Sequence, residues 1–314
     1  MEKKRIAFLV RGLPGLGHVM PSLAVAEELK KQNFECYFIT YSNGILPIKS
    51  KFKYFEVSPP AIAKGRVPWM DTFELTREVL PILEKIKPAA VVVDGEFDSI
   101  FLLHGLGYKT ILITTPHYID REFPPYSTYS KYMDSILNYV DVVIVHGFFE
   151  NKKKHKKCIF VGPLVRKIFE KKTKTKNFVA VLRGFEEFKD IDEFVIKTGL
   201  HKIYKVEYLG SYYLKKDNSL LLSAKFIITP GGMSSLSEAV VMGKPAIILY
   251  PKNDIEKSKN AKFAEKLGFG FSFDINKLTK EDFYKTLRKI ERLKIKPMKN
   301  GLEKAISIVK EMLG

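Results

Sequence analysis

The stretch RIAFLVRGLPGLGHVMPSLAVAEELKKQNFECYFIT, residues 5–40, decides how this chain folds. Residues 5–10 form a short apolar run without polar alternation, the mark of a strand buried on both faces. Gly12, Gly15 and Gly17 then break the run into a loop. Pro21 suits the first turn of a helix, where its missing N–H costs nothing, and PSLAVAEELKKQ continues as that helix. FECYFIT is a second apolar strand. Strand, glycine loop, helix and strand make a βαβ unit, which requires the two strands to run parallel.

The same rhythm repeats outward. LEKIKPAAVVVDGE, YKTILITT and YVDVVIVH each bring a β-branched run after a helix or a break, and CIFVGPLV ends at Gly162-Pro163. A second alternation starts at NFVAVLRG and runs through KIYKVEYLG, AKFIITPGG and KPAIILYP. The pattern predicts an α/β protein of two Rossmann-like domains, with parallel sheets facing a central cleft. The boundary is expected after Pro163, giving domains 1–163 and 164–314. Residues 280–313 read as helix, an interruption at KIKPMKN, and helix, the last of which either stays with the second domain or packs back on the first.

With 314 residues, 46% of them hydrophobic, the chain can fill two cores. It has no apolar run of membrane-spanning length and no signal-peptide pattern at its start, so a cytoplasmic protein is expected. Cys36 and Cys158 lie far apart, which argues against a disulfide framework or a cysteine metal site. The formal charge is +18, and residues 150–176 hold eleven Lys or Arg against two Glu. Such a block is a solvated linker or a surface for anionic lipid or a phosphorylated substrate. Nucleic acid is disfavoured, because the excess is Lys and no base-reading motif accompanies it. Abundant Lys, Glu and Ile with Gln32 as the single glutamine fit a heat-adapted source.

Three segments carry candidate chemistry. In the first, Gly15 and Gly17 allow close backbone approach to an anion at a helix start, and His18 follows them. The positive end of a helix disfavours imidazolium, which suits His18 to be a general base. In the second, Asp94 ends a buried strand, where it either orients His18 or caps the next helix; Glu96, Asp98 and His117 are further candidates at the same mouth. In the third, Gly231, Gly232, Met233, Ser234 and Ser235 begin a helix with N–H and hydroxyl donors fit for a diphosphate. Glu238 there either accepts from ribose hydroxyls or closes a Ser235-x-x-Glu238 capping box. Two aromatic loops, one with Trp69 and one with His117 and Tyr118, leave the first sheet at strand C-terminal ends, where open α/β sheets bind ligands, and read as an acceptor pocket, a membrane-facing patch or plain loop packing.

Together these segments resemble the GT-B glycosyltransferases, particularly the MurG-like and UDP-glycosyltransferase groups (glycosyltransferase family 28 type). GLGHVMPSLAVA, residues 15–26, is similar to the family's GxGHxxPxLAxA, and GGMSSLSEAVVMGKPAIILYPKNDIEKSKNA, residues 231–261, to its GGxxSxxEA and following donor motif. The resemblance implies a hexosyltransferase that moves a sugar from a nucleotide diphosphate, UDP-sugar first, to an acceptor hydroxyl, without metal or other cofactor. It implies His18 as base with Asp94 as its acidic partner, the Gly231–Ser235 turn around the diphosphate, Glu238 on ribose, and Glu256, Lys257 and Asn260 near the donor sugar. The acceptor is expected to be lipid-linked, with peripheral attachment to an anionic membrane. Pro230, Lys257 and the RGFEEF loop depart from the pattern, and Arg183 is offered as a compensating phosphate ligand. A nucleotide-sugar hydrolase and an inactive sugar-nucleotide-binding protein stand as alternatives on the same scaffold.

Overall fold

The computed structural model describes the chain apart from residues 1–2, 14, 60–67, 120–126, 151–154, 184–187, 211–215 and 252; for residues 68–76, 127–131, 188–189 and 216–217 it describes the backbone alone. The chain divides into two compact units, one of residues 1–166 with 301–314 and one of residues 167–300. The final helix therefore counts with the first unit, and the division falls three residues beyond Pro163.

The first unit is built on seven parallel strands: β1 (Arg5–Val10), β2 (Glu35–Thr40), β3 (Lys53–Glu56), β4 (Ala90–Asp94), β5 (Thr110–Thr114), β6 (Val142–His146) and β7 (Cys158–Gly162). Their order is β3-β2-β1-β4-β5-β6-β7. Helices α1 (Val19–Lys31), α2 (Pro68–Ile86), α3 (Ser99–Gly105) and α4 (Ser127–Tyr139) connect them. The alternate residues of β1, β2, β4, β5 and β6 fill two cores. Phe8, Val10, Val92, Ile113 and Ile144 pack on the side of Leu23 and Leu29 of α1, and Leu9, Val91, Val93, Leu112 and Val143 on the side of Leu83 and Ile136. Burial on both faces is why these strands read as continuous apolar runs.

The second unit has five parallel strands: β8 (Phe178–Leu182), β9 (Lys205–Leu209), β10 (Phe226–Thr229), β11 (Ala246–Tyr250) and β12 (Gly270–Asp274), in the order β12-β11-β10-β8-β9. Helices α5 (Phe188–Thr198), α6 (Lys216–Ser223), α7 (Met233–Met242), α8 (Ile255–Lys266) and α9 (Lys280–Ile290) complete it. Residues 171–176 enter this unit as an exposed segment without helix or strand, which is the solvated behaviour expected of that part of the basic block.

In each sheet the strand order reverses once. The first crossover from β1 goes to β2 on one side while β4 pairs on the other, and β8 likewise leads to β9 while β10 lies opposite. Open parallel sheets bind ligands beyond the strand C-termini at such reversals, because the connecting loops diverge there and leave a crevice. Val10 and Asp94 end the first such pair; Leu182 and Thr229 end the second.

Helix α10 (Leu302–Leu313) closes the first unit. Leu302, Ala305, Ile306 and Val309 recur at the spacing of one helix face and are buried in the α1-side core. Its unpaired terminal carbonyls are taken up by lysines: Lys4 Nζ donates to Leu313 O and Gly314 O, and Lys109 Nζ to Met312 O. At the other end Gly301 N donates to Pro163 O at 2.6 Å, and a Cβ on Gly301 would stand 2.3 Å from Val161 O. Gly301→Ala must push α10 away from β7 or lose that hydrogen bond. It is expected to destabilise the protein by about 1–3 kcal/mol, read as a lower midpoint in urea denaturation.

Candidate active site

The reversal between β1 and β4 holds the sharpest constellation. Val10 and Asp94 are register partners, and Arg11 N donates to Asp94 O at 2.9 Å, so the two strands leave the sheet side by side. The chain after β1 passes through the glycine loop and enters α1 with His18 as N-cap residue. His18 Nδ1 lies 2.7 Å from Asp94 Oδ1. One turn along α1, Ser22 Oγ donates to Asp94 Oδ2 at 3.0 Å. Both carboxylate oxygens are thus engaged by the same helix, which fixes the carboxylate and the imidazole together. Asp94 is 1% exposed and the His18 side chain 18%. Burial holds the Asp94 carboxyl above the ordinary carboxylate range, against the His18 and Ser22 hydrogen bonds and the Arg11 charge, which pull it down.

The close approach depends on glycine. Gly95 has φ +84°, and a Cβ there would stand 2.7 Å from Arg11 Cβ and 3.0 Å from His18 Cγ. In the loop itself the demanding position is Gly12, whose Cβ would fall 1.8 Å from Tyr41 O; at Gly15 and Gly17 it would meet nothing within 4 Å. Gly15 and Gly17 therefore leave the backbone open rather than tightly packed. Asp94 does not cap the following helix: Asp98 occupies that position, without a side-chain cap bond.

Around the pair, the Tyr118 ring lies 6.1 Å from that of His18 and 5.3 Å from Phe97. His117, in a short 3-10 turn after β5, is buried with its ring edge-on to Phe149. Trp69 belongs to α2 by its backbone, and its side chain lies outside the described residues. Glu96 is also buried, accepting from Tyr41 Oη at 2.5 Å with Arg11 Nε 3.6 Å away. That arrangement gives Glu96 a part in holding the strand end.

The reversal between β8 and β10 carries the second constellation. After β10 the chain turns through Gly231, φ +93°, and Gly232 caps α7 with its backbone alone. Because α7 begins at Met233, Ser235 is its third residue and the capping-box geometry with Glu238 does not form. Glu238 is instead buried within α7. Met233 is buried as well, so it offers a ligand its N–H rather than its side chain, while Ser234 and Ser235 are half-buried. Asn260 Nδ2 donates to Gly231 O at 3.1 Å, tying α8 to this turn. Lys257 pairs with Asp254, the residue that caps α8 by accepting from Lys257 N, and Glu256 stands in the first turn of that helix. Arg183, just past β8, is gripped by Asp192 through Nε at 3.2 Å and Nη2 at 2.7 Å, and its guanidinium stacks on the Tyr208 ring at 4.5 Å. The loop after Arg183, residues 184–187, lies outside the described residues.

Sequence reasoning missed Ser22 and His146. Ser22 was legible as one helical turn after His18. His146 ends β6, and the strand-end rule that singled out Asp94 would have found it. It is 2% exposed, and burial with the neighbouring His18 charge drives its pKa down to about 3.

Three comparisons bear on this geometry. The family model described as glycosyl transferase family 1 matches residues 82–291. Proteins named UDP-N-acetylglucosamine--N-acetylmuramyl-(pentapeptide) pyrophosphoryl-undecaprenol N-acetylglucosamine transferase are similar along most of their length. The one from Sulfurihydrogenibium sp. (strain YO3AOP1) is 27% identical, over 86% of this chain and 86% of its own. That from Caldicellulosiruptor saccharolyticus is 25% identical, over 86% and 85%. Among solved structures, the calicheamicin glycosyltransferase CalG4 superposes with a TM-score of 0.71 at 16% identity, covering 100% of this chain and 99% of that one. Acinetobacter baumannii MurG gives 0.67 at 14%, covering 98% and 99%. Both share the two-domain GT-B fold expected from the alternation of strands and helices.

The buried His146 makes a pH prediction. The unfolded chain takes up a proton near the ordinary histidine value of about 6.5, whereas the folded chain refuses it until about pH 3. Stability is therefore whole above about pH 6.5 and is lost as pH falls through that window. His146→Gln should flatten the pH dependence of unfolding free energy between pH 6.5 and 4 by on the order of 3 kcal/mol; an unaltered slope in urea titrations would show that His146 is not held neutral.

Proposed function

Because the chain belongs to glycosyl transferase family 1 and is a glycosyltransferase, we propose that it moves a sugar from a UDP-sugar to a sugar hydroxyl on an acceptor linked through diphosphate to a polyprenol. The observation that carries the reading is the His18–Asp94–Ser22 arrangement at the strand reversal of the first unit. The relatives' names supply the substrate classes: UDP-N-acetylglucosamine as donor and a pyrophosphoryl-undecaprenol-linked sugar as acceptor.

In this reading the first unit binds the acceptor. His18 Nε2 takes the proton from the acceptor hydroxyl, its oxygen bonds to the anomeric carbon, and the bond from that carbon to the UDP oxygen breaks. Asp94, bonded to Nδ1, fixes the tautomer and offsets the charge of the imidazolium that forms. UDP leaves from the second unit. The first turn of α7, after the Gly231–Gly232 turn, offers backbone N–H groups to its diphosphate, which is electrostatic stabilisation of the kind a metal ion otherwise provides. Glu238 and the α8 start, with Glu256 and Lys257, lie on the helices that follow those turns, in keeping with contacts to ribose and sugar. Turnover should persist in excess chelator.

Attachment to an anionic membrane is part of the proposal. Among the described residues no helix is long and apolar enough to cross a membrane. The α3–α4 face instead exposes Phe101, Leu106 and Tyr139, with the Phe101 and Tyr139 rings 5.1 Å apart. Lys157 borders it, donating to Asn138 O and Val140 O at the end of α4. Aromatic rings flanked by lysines suit an anionic lipid headgroup layer.

His18→Ala is expected to lower kcat by about 10²–10⁴ with the affinity for UDP little changed, because a base acts on the transition state. UDP release that requires no acceptor would replace transfer by hydrolysis, and UDP binding without release would replace it by a binding role. Phe101→Ser with Tyr139→Ser should reduce sedimentation with vesicles rich in phosphatidylglycerol; equal sedimentation of variant and wild type would place attachment elsewhere.

A further inference from the structure

The sheet face beneath α1 carries polar groups that the reaction above does not use. Val92, Ile113 and Ile144 pack together in the α1-side core. Two residues beyond each, at the ends of neighbouring strands, stand Asp94, Thr115 and His146. Asp94 meets α1 through His18 and Ser22. Beside His146 the β6–β7 ladder is interrupted, since the pairing passes from Val145 with Phe160 to His146 with Gly162 and leaves Val161 of β7 as the extra residue. Irregularities of this kind concentrate at strand ends beside active sites. His146 Nδ1 and Thr115 Oγ1 are both buried, and neither has a hydrogen-bond partner. Leaving a buried polar atom unpaired is costly, so two such atoms on adjacent strand ends mark a place where another molecule supplies the partner.

We propose that His146 and Thr115 form a polar subsite for the acceptor, taking an uncharged hydrogen-bonding substituent, a hydroxyl or an amide, of the sugar that His18 deprotonates. This inference rests on the function proposed above. Neutral imidazole and a hydroxyl each offer one donor and one acceptor, a set that matches an alcohol or amide and gives no charge to an anion. Asp94 and His146 end strands two positions apart, about 10 Å at ordinary strand spacing, a distance that substituents on one sugar ring and its neighbour span. His146 and Thr115 thereby act as specificity residues rather than as part of proton transfer.

The test measures steady-state transfer by the full chain with UDP-N-acetylglucosamine and N-acetylmuramyl-pentapeptide pyrophosphoryl-undecaprenol, each varied in turn. His146→Phe and Thr115→Val are expected to raise the acceptor KM about tenfold, with the donor KM and kcat within threefold of wild type. His146→Gln, which keeps an amide donor and acceptor, should recover most of the loss. An unchanged acceptor KM in His146→Phe and Thr115→Val overturns the subsite while leaving the proposed function intact. A fall in melting temperature with both KM values moved together, and no recovery in His146→Gln, overturns it in favour of a packing role. If wild type releases UDP yet neither transfers to nor binds this acceptor, the acceptor class itself fails and the subsite falls with it.

Discussion

The pairing of β1 with β4 is the constraint from which the candidate site follows. Parallel strands in one sheet end on the same edge, so the residues just past them are neighbours however far apart they lie in the chain. Val10 and Asp94 are register partners, which brings the loop after one strand onto the carboxylate that ends the other. Between them the strand order reverses, and the two connections depart to opposite sides. A contact of 2.7 Å between His18 and Asp94 is then a consequence of topology, and α1 needs only to begin at the right angle to make it.

What turns that neighbourhood into a chemical device is burial. A carboxyl that is 1% exposed would shed its charge unless groups around it favoured the ionised form. His18 and Ser22 do so from a single helix, while desolvation pushes the other way and holds the carboxyl above its usual range. The result is an acid whose ionisation is tied to the imidazole beside it. Gly95, at φ +84°, allows the contact by removing the one side-chain atom that would separate strand end from ring.

The second unit has a reversal of its own, with different groups along the corresponding edge of its sheet. Arg183 follows β8 and the Gly231 turn follows β10, again on the two sides of a reversal. The groups there are mainly backbone N–H donors at helix starts, with Asn260 holding the turn in place and Asp254 capping the next helix. In the proposed reaction, side chains of the first unit serve the attacking oxygen and backbone N–H groups of the second serve the leaving diphosphate.

Much of this was legible in residues 5–40 and 231–261. Unbroken β-branched runs meant doubly covered parallel strands, and glycines before a helix meant turns open to a ligand; both follow from local sterics and burial, which the amino-acid sequence carries directly. The identity of the partners was not local. Whether Asp94 capped a helix or met His18, whether Glu238 closed a capping box, and why Gly12 rather than Gly15 is sterically required, all turn on which strand ends lie beside one another and where each helix begins. Ser22 and His146 came to light for the same reason, since their roles arise from a helix face laid across a sheet edge. Sequence determined the two α/β units and the loops that serve them; only the tertiary structure, by setting strand order and register, decided which of their side chains meet.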